Sequence, residues 1–160
     1  SAGVQAQRGG AGLAGTAGSL RWEILWPVPG RAPPEENDAS LVLRVHAGAG
    51  TAQQLSVLLT GDLESEAAGA LLMRLGTAVP PVDVLKISHH GARNGGTALI
   101  EALQPKAAVI SVGRGNDYGH PAPEIIAALE RNQVAAFRTD VLGTITLAAA
   151  DGRLEVGALR

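Results

Sequence analysis

Side chains of the kinds that bind metals follow three apolar segments of the chain. Asp62 lies in T-G-D-L-E after the apolar run L-S-V-L-L, and His89 and His90 follow V-D-V-L-K-I-S. His120 closes a Gly-punctuated segment that begins after A-A-V-I-S-V. Carboxylate and imidazole groups suit Zn²⁺ or Mn²⁺, and the chain has no Cys to supply a thiolate. If these side chains share one site, the residue types predict metal-assisted hydrolysis.

Each of these positions also has a structural interpretation. Asp62 precedes a predicted helix, where a carboxylate can accept backbone N–H bonds, so capping and metal binding fit its position equally well. Asp62 could also do both. His89 and His90 stand at a predicted strand end, where neighbouring side chains point to opposite faces, so only one of them is expected to face a given metal. His46 has no polar partner in its hairpin pattern and is expected to be structural or exposed.

The loop at residues 113–121 carries the remaining candidates. Arg114 and Asn116 are predicted to contact phosphate, and Tyr118 joins them as a predicted substrate contact. His120 could bind metal or donate a proton, which makes it a catalytic candidate together with Asp62. The prolines at the end of the loop suit a helix start, so an ordinary capped turn is the structural alternative.

Alternating strand and helix patterns predict an α/β layer architecture that brings these loops to one rim. Residues 1–18 are Gly/Ala-rich without periodicity and are expected to be a flexible lead-in to a domain at residues 19–160. Strands are predicted at residues 19–26, 40–45, 55–59, 82–87, 107–112 and 134–137, and helices at residues 64–75, 97–103 and 122–130. A closing hairpin is predicted at residues 143–149 and 154–156, through Asp151-Gly152.

Composition limits the function classes. A chain of 160 residues suits one domain, and a formal charge of −2 gives no broad basic surface for a nucleic-acid backbone. The absence of Cys excludes disulfides, zinc fingers and thiol catalysis. The longest apolar runs are far shorter than the roughly 20 residues of a spanning helix, so the chain is expected to be soluble.

Four motifs in order resemble the ComEC/Rec2 family of DNA-uptake proteins. They are N-D-A-S-L-V-L, L-L-T-G-D-L-E, D-V-L-K-I-S-H-H-G and V-I-S-V-G-R-G-N-D-Y-G-H-P, and R-T-D-x-x-G-T-I is similar to the closing strand of the family. The likeness implies the C-terminal half of a metallo-β-lactamase-like αββα sandwich, a mixed sheet with flanking helices.

The resemblance also implies a function. In that family a membrane channel passes single-stranded DNA, and the appended domain is thought to degrade the strand that is not transported. A dinuclear zinc or manganese site is implied, with Asp62 as the bridging carboxylate, His89 favoured over His90 as a ligand, and His120 as a rim or additional ligand. The implied partners are single-stranded DNA and the membrane channel of the same parent protein, with the domain on the extracytoplasmic side.

One departure from the family is large. Metallo-β-lactamase folds carry an early H-x-H-x-D-H motif, which does not occur in these 160 residues. Either the sequence omits that half or the protein has lost it, so the chain alone is expected to bind metal weakly and to be inactive. In addition, A-R-N-G at residues 92–95 replaces the small hydroxyl residues usual in the family. Two alternatives therefore stay open: a small-molecule metallohydrolase, and a non-catalytic degenerate module that supports a channel. Oligomeric state is not predicted.

Overall fold

The computed structural model describes residues 8–31, 33, 35–48, 50–51, 53–76 and 81–159. Nine strands and four helices lie in this part of the chain. The strands are β1 (Ala14–Ala17), β2 (Leu20–Trp26), β3 (Val42–Ala47), β4 (Leu55–Leu59), β5 (Val84–Lys86), β6 (Ala107–Ile110), β7 (Ala135–Arg138), β8 (Thr144–Ala150) and β9 (Arg153–Leu159). The helices are α1 (Ser65–Leu75), α2 (Ala98–Leu103), α3 (Pro123–Arg131) and α4 (Thr139–Leu142).

The first seven strands form one mixed sheet whose strand order follows the chain. Strands β1 to β4 are antiparallel, and β4 to β7 are parallel with α1, α2 and α3 as the crossovers. Because such crossovers are right-handed and each joins neighbouring strands, the three helices lie on one face of the sheet. The predicted α/β class, a mixed sheet with flanking helices, is confirmed.

The two faces of the sheet are covered differently. Leu58 and Leu85, paired across β4 and β5, face the helices and pack with the fully buried Leu71 of α1. Val84 faces the opposite side of the sheet, where residues of the β8–β9 hairpin, including Leu147, pack against it. Since successive strand residues alternate in direction, this pattern separates a helix-side core from a smaller hairpin-side core.

Helix α1 has the predicted amphipathic pattern. Ala67 and Leu71 are buried, and Glu66 and Arg74 are exposed. Glu64 precedes the helix, is half-buried, and accepts hydrogen bonds from two asparagines described below.

Several predicted boundaries move for local reasons. Strand β3 starts at Val42 instead of residue 40, because the Ser40 hydroxyl accepts a hydrogen bond from Asp62 N in the neighbouring loop. Strand β5 starts at Val84 instead of residue 82, because the Asp83 carboxylate takes the place of a ladder partner and accepts a bond from Ser56 N at 2.8 Å.

The expectation of little order before residue 19 is wrong for Ala14–Ala17, which form β1. This strand pairs antiparallel with β2, and Gly15 lies so close to the Trp22 ring that an added Cβ would come within 2.6 Å of it. Alanine and glycine give no strand periodicity, so the pairing could not be predicted from this segment alone. Residues 1–7 lie outside the described part of the chain.

The closing segment is also more structured than predicted. The closing hairpin through Asp151-Gly152 is confirmed by the pairing of β8 with β9. The R-T-D motif, however, is not a continuous strand with it: β7 ends at Arg138, and the short α4 separates β7 from β8.

Candidate functional site

Four candidate ligands meet at the carboxyl edge of the parallel strands. Asp62 follows β4, His89 and His90 follow β5, and His120 lies in the loop after β6. The Nε2 atom of His90 is 3.6 Å from Oδ1 of Asp62. The ring centroid of His89 lies 6.3 Å from that of His90 and 6.2 Å from that of His120. The structure therefore places all four residues that the sequence singled out as metal ligands at one edge of the sheet, and it brings Asp62 and His90 into a close pair.

The two adjacent histidines lie in a tight turn. A 3₁₀ turn spans Ser88–Gly91, and His89 and His90 have φ values of 47° and 55° inside it. Non-glycine residues rarely adopt this left-handed region, and such strained backbone concentrates at functional sites. The expectation that the two side chains point to opposite faces is wrong, because it assumed extended backbone. In the turn, both rings lie at the rim.

The loop around Asp62 is shaped by Gly61. Gly61 has a φ of 54°, and a Cβ there would lie 2.9 Å from Cβ of Ser40. Asp62 does not cap the helix that follows it. The N-cap residue of α1 is Glu64, which has no side-chain cap, and it is the buried Asp38 that accepts a hydrogen bond from Glu64 N, at 3.2 Å. The capping interpretation of Asp62 is therefore wrong, and its carboxylate faces the histidine turn.

Lys86 is a site residue that the sequence reasoning missed. Its Nζ donates to Gly61 O at 2.7 Å and lies 3.8 Å from Oδ1 of Asp62. Burial lowers the pKa of the Lys86 ammonium, and the negative charge of Asp62 partly opposes that effect. A lysine inside the apolar strand V-L-K-I was the available signal, because a buried lysine needs a partner.

The hydrogen bond of His90 fixes what its second nitrogen can do. Nδ1 lies 2.7 Å from Ser111 O, and a carbonyl oxygen only accepts, so Nδ1 carries the hydrogen. In the neutral imidazole, Nε2 then has a lone pair, and this atom is the one 3.6 Å from Asp62 Oδ1. Two electron-rich atoms at that distance suit a cation bound between them. Histidines that bind metals commonly donate their other N–H to a carbonyl in this way.

Glu64 is a second residue that the sequence reasoning missed. Its Oε1 accepts hydrogen bonds from Asn37 Nδ2 at 3.0 Å and Asn94 Nδ2 at 2.8 Å. The same oxygen is 3.8 Å from Nδ1 of His89, a buried atom to which no described residue hydrogen bonds. The asparagines thus hold a carboxylate beside an imidazole of the candidate site.

Asn116 orders the loop that carries His120. Its Nδ2 donates to His120 O at 2.9 Å, and its Oδ1 accepts from His120 N at 3.0 Å. Arg114 is exposed, and its Nε donates to Asp140 O at 3.4 Å. Tyr118 is exposed and stacks on the His120 ring. Of the three predicted substrate contacts, Arg114 and Tyr118 face solvent and Asn116 is engaged within the loop.

The R-T-D segment, Arg138 to Asp140, contacts the start of the loop that carries His120. The Thr139 hydroxyl donates to Val112 O at 2.7 Å and accepts from Val112 N at 2.8 Å. Hydrogen bonds and charge from Arg138 hold the pKa of Asp140 below its ordinary value. The segment therefore fixes the point where the His120 loop leaves the sheet.

Within the described ranges, no group of three or more His, Asp and Glu side chains lies close enough together to hold a metal ion. Asp62 and His90 form a pair of the right chemistry, and the ring centroid of His89 lies 6.3 Å from that of His90. Of the helices in the described part of the chain, none is long and apolar enough to cross a membrane.

Comparison with known proteins gives similar sequences in bacteria. No family model matches the chain. ComE operon protein 3 of Bacillus subtilis is 39% identical over 129 residues, which are 79% of this chain and 15% of that protein. Recombination protein 2 of Haemophilus influenzae is 33% identical over 144 residues, covering 88% of this chain and 17% of that protein. Competence protein ComA of Neisseria gonorrhoeae is 29% identical over 127 residues, which are 79% of this chain and 18% of that protein.

The chain spans less than a fifth of the length of these curated relatives. Over about four fifths or more of its own length, it is similar to segments of proteins named for competence and recombination.

Proposed function

We propose that this chain is part of a DNA-uptake protein of the ComEC/Rec2 family, within a module that hydrolyses the strand that is not transported. The names of the relatives support the uptake role, and the ordered motifs support the family. The fold proposed for the complete module is the metallo-β-lactamase-like sandwich, of which these residues form the C-terminal half. The proposed partners are single-stranded DNA and the channel of the same parent protein, with this module on the extracytoplasmic side.

The observation that carries the proposal is the pairing of Asp62 with His90. A carboxylate oxygen and an imidazole lone pair 3.6 Å apart are the donor set that Zn²⁺ or Mn²⁺ prefers. The sequence favoured His89 over His90, but the proximity of His90 to Asp62 leads us to assign Asp62 and His90 as the first pair of ligands. His89 and His120 are assigned as additional ligands of a dinuclear site. Bound ions would supply Lewis acidity for phosphodiester hydrolysis.

The residues around these ligands have positioning roles in the proposal. Ser111 O fixes the tautomer and orientation of the His90 ring, and Glu64 places a negative charge 3.8 Å from Nδ1 of His89. Lys86 holds Gly61 O and compensates part of the Asp62 charge. The His120 imidazole has two alternative roles in the proposal, as a further metal ligand or as the proton donor to the leaving oxygen. No described cation or carboxylate engages its ring, and Asn116 fixes its backbone.

The test uses a longer protein that contains this segment together with a preceding H-x-H-x-D-H segment. Cleavage of single-stranded DNA should be measured with Zn²⁺ and with Mn²⁺. Asp62→Asn and His90→Ala should each abolish cleavage, since each removes a ligand. His46→Gln is the matched control, because His46 pairs with Ser56 at the far end of β3 and should leave activity unchanged.

Each other outcome selects a different function. Hydrolysis of small esters or phosphodiesters without DNA cleavage would identify a small-molecule metallohydrolase. A longer protein that contains the motif and hydrolyses neither substrate would identify a non-catalytic module.

A further inference from the structure

Tyr118 presents one face of its ring to the candidate site and the other to solvent. The ring lies 5.8 Å from the His120 ring, centroid to centroid, at an interplanar angle of 18°. The side chain is nevertheless 84% exposed. The hydrogen bonds of Asn116 to both backbone groups of His120 fix the loop that carries the ring. A flat aromatic surface that stacks on His120 therefore stands at the rim of the histidine cluster.

Packing does not account for this position. The chain has one Tyr, one Phe and two Trp, and Trp26 is 7% exposed in the core. Aromatic rings stabilise a fold when they are buried, and Tyr118 buries little. Stacking on His120 leaves the second face of the ring free. A free aromatic face beside the candidate ligands is suited to bind a flat ring of a ligand.

We propose that the open face of Tyr118 is a stacking platform for the nucleobase adjacent to the phosphodiester at the histidine cluster. This inference rests on the proposed function for the identity of the ligand as a nucleic-acid strand. A base stacked on Tyr118 is tethered to its own phosphate through one sugar, and this short tether keeps the phosphate near the loop that carries His120. Every base has a π face, so the platform tolerates any sequence.

The platform selects single strands. Bases in a duplex are already stacked on their neighbours, so their faces are not available to Tyr118 without unstacking. The net charge of −2 gives this chain little electrostatic attraction for a phosphate backbone. Stacking on Tyr118 is therefore a large part of what this chain contributes to strand binding.

The binding test uses the 160-residue chain without metal. A fluorescently labelled thymidine octanucleotide should be titrated by anisotropy, beside an abasic strand of equal length and a blunt duplex. Tyr118→Ala should raise the Kd for the octanucleotide between about five-fold and about a hundred-fold, the range that base stacking supplies. Tyr118→Phe should retain the wild-type Kd, since it keeps the π face. Met73→Ala is the matched control, because Met73 is also exposed, at 79%, and lies on α1.

The abasic strand and the duplex should bind weakly to both the wild type and Tyr118→Ala. Because the chain has one Tyr, its ring resonances in NMR are a direct readout, and they should shift when the octanucleotide is added. Equal Kd values for the wild type and Tyr118→Ala, or no binding and no shift with the wild type, would overturn the platform. Equal binding of duplex and single strand would also overturn it.

This result is independent of the nuclease assay. Binding that depends on Tyr118 without cleavage by the longer protein would leave the platform standing and remove the hydrolase. Cleavage of DNA by the longer protein, together with an unchanged Kd for Tyr118→Ala, would support the hydrolase and overturn the platform.

Discussion

The Oε1 atom of Glu64 lies 3.8 Å from Nδ1 of His89, and two asparagine amides hold it there. Asn37 comes from the segment before β3, and Asn94 comes from the turn that follows the histidines. One carboxylate oxygen thus ties three loops together at the point where the candidate ligands meet. Carboxylates are common neighbours of metal-binding histidines.

Replacement of Glu64 should separate its structural role from its charge. Glu64→Ala removes the acceptor of one part-buried amide, that of Asn37, and of the exposed amide of Asn94, and it should lower the free energy of unfolding by about 1–3 kcal/mol. Glu64→Gln keeps an acceptor oxygen and should cost less than about 1 kcal/mol, while shifting the NMR signals of His89. Urea denaturation measures both. Equal stability of Glu64→Ala and the wild type would show that the amides gain nothing from this carboxylate.

Helix α1 offers a paired test of the core. Leu71 is 0% exposed, so Leu71→Ala should cost roughly 2–5 kcal/mol of unfolding free energy, from lost burial and the cavity left behind. Met73, two residues away in the same helix and 79% exposed, should tolerate Met73→Ala within about 0.5 kcal/mol. Thermal melts of both variants check the assignment, and an unchanged melting temperature for Leu71→Ala would contradict it.

The sequence predicts the parallel part of the fold well because each strand there is an apolar run and each helix has a 3.6-residue period. Leu55–Leu59 and the helices beside it were predicted to within one residue. Strand β1 could not be predicted, because its A-G-T-A sequence has no pattern and forms only through pairing with β2. The strand forms because it pairs with β2 and packs against the ring of Trp22, and these are tertiary contacts that a short sequence segment does not reveal.

For the candidate site, residue types were predictable and orientations were not. Asp62 and the histidines were identified because polar groups at the ends of apolar strands stand out. The left-handed backbone of His89 and His90 reverses the alternation expected of a strand, and no sequence rule signals it for histidine. Lys86 and Glu64 were missed because their roles come from contacts with Gly61, Asn37 and Asn94, which are 25 to 30 residues away in sequence.

Asp83 should make the stability of the fold depend on pH in acid. Burial of its carboxyl raises the pKa, but hydrogen bonds from Lys106 and Ser56, and the charge of Lys106, outweigh burial and hold the pKa below the ordinary 3.8. Since the folded-state pKa is the lower one, the carboxylate stabilises the fold above pH 3.8, and this contribution is lost as the pH falls below it.

Urea denaturation as a function of pH tests this linkage. Wild type should lose stability more steeply than Asp83→Asn as the pH falls below 3.8, and Asp83→Asn should be the less stable protein at neutral pH. Asp151→Asn, in the exposed β8–β9 turn, is the matched control and should follow the wild type. Parallel pH profiles for the wild type and Asp83→Asn would argue against the ion pair with Lys106.

The 160-residue chain by itself should bind Zn²⁺ and Mn²⁺ weakly and should not cleave single-stranded DNA. An active dinuclear site needs roughly three protein ligands per ion and an open position for water. This chain offers Asp62, His90 and the rings of His89 and His120 beside them, and within its described residues no three such side chains meet closely enough to hold an ion. Calorimetry with each metal, on this chain and on a protein that also contains an H-x-H-x-D-H segment, measures the difference. The longer protein should bind metal far more tightly and gain cleavage, because the added ligands complete the coordination shells. Tight binding and robust cleavage by the short chain would contradict the ligand count and require a site built from these residues alone.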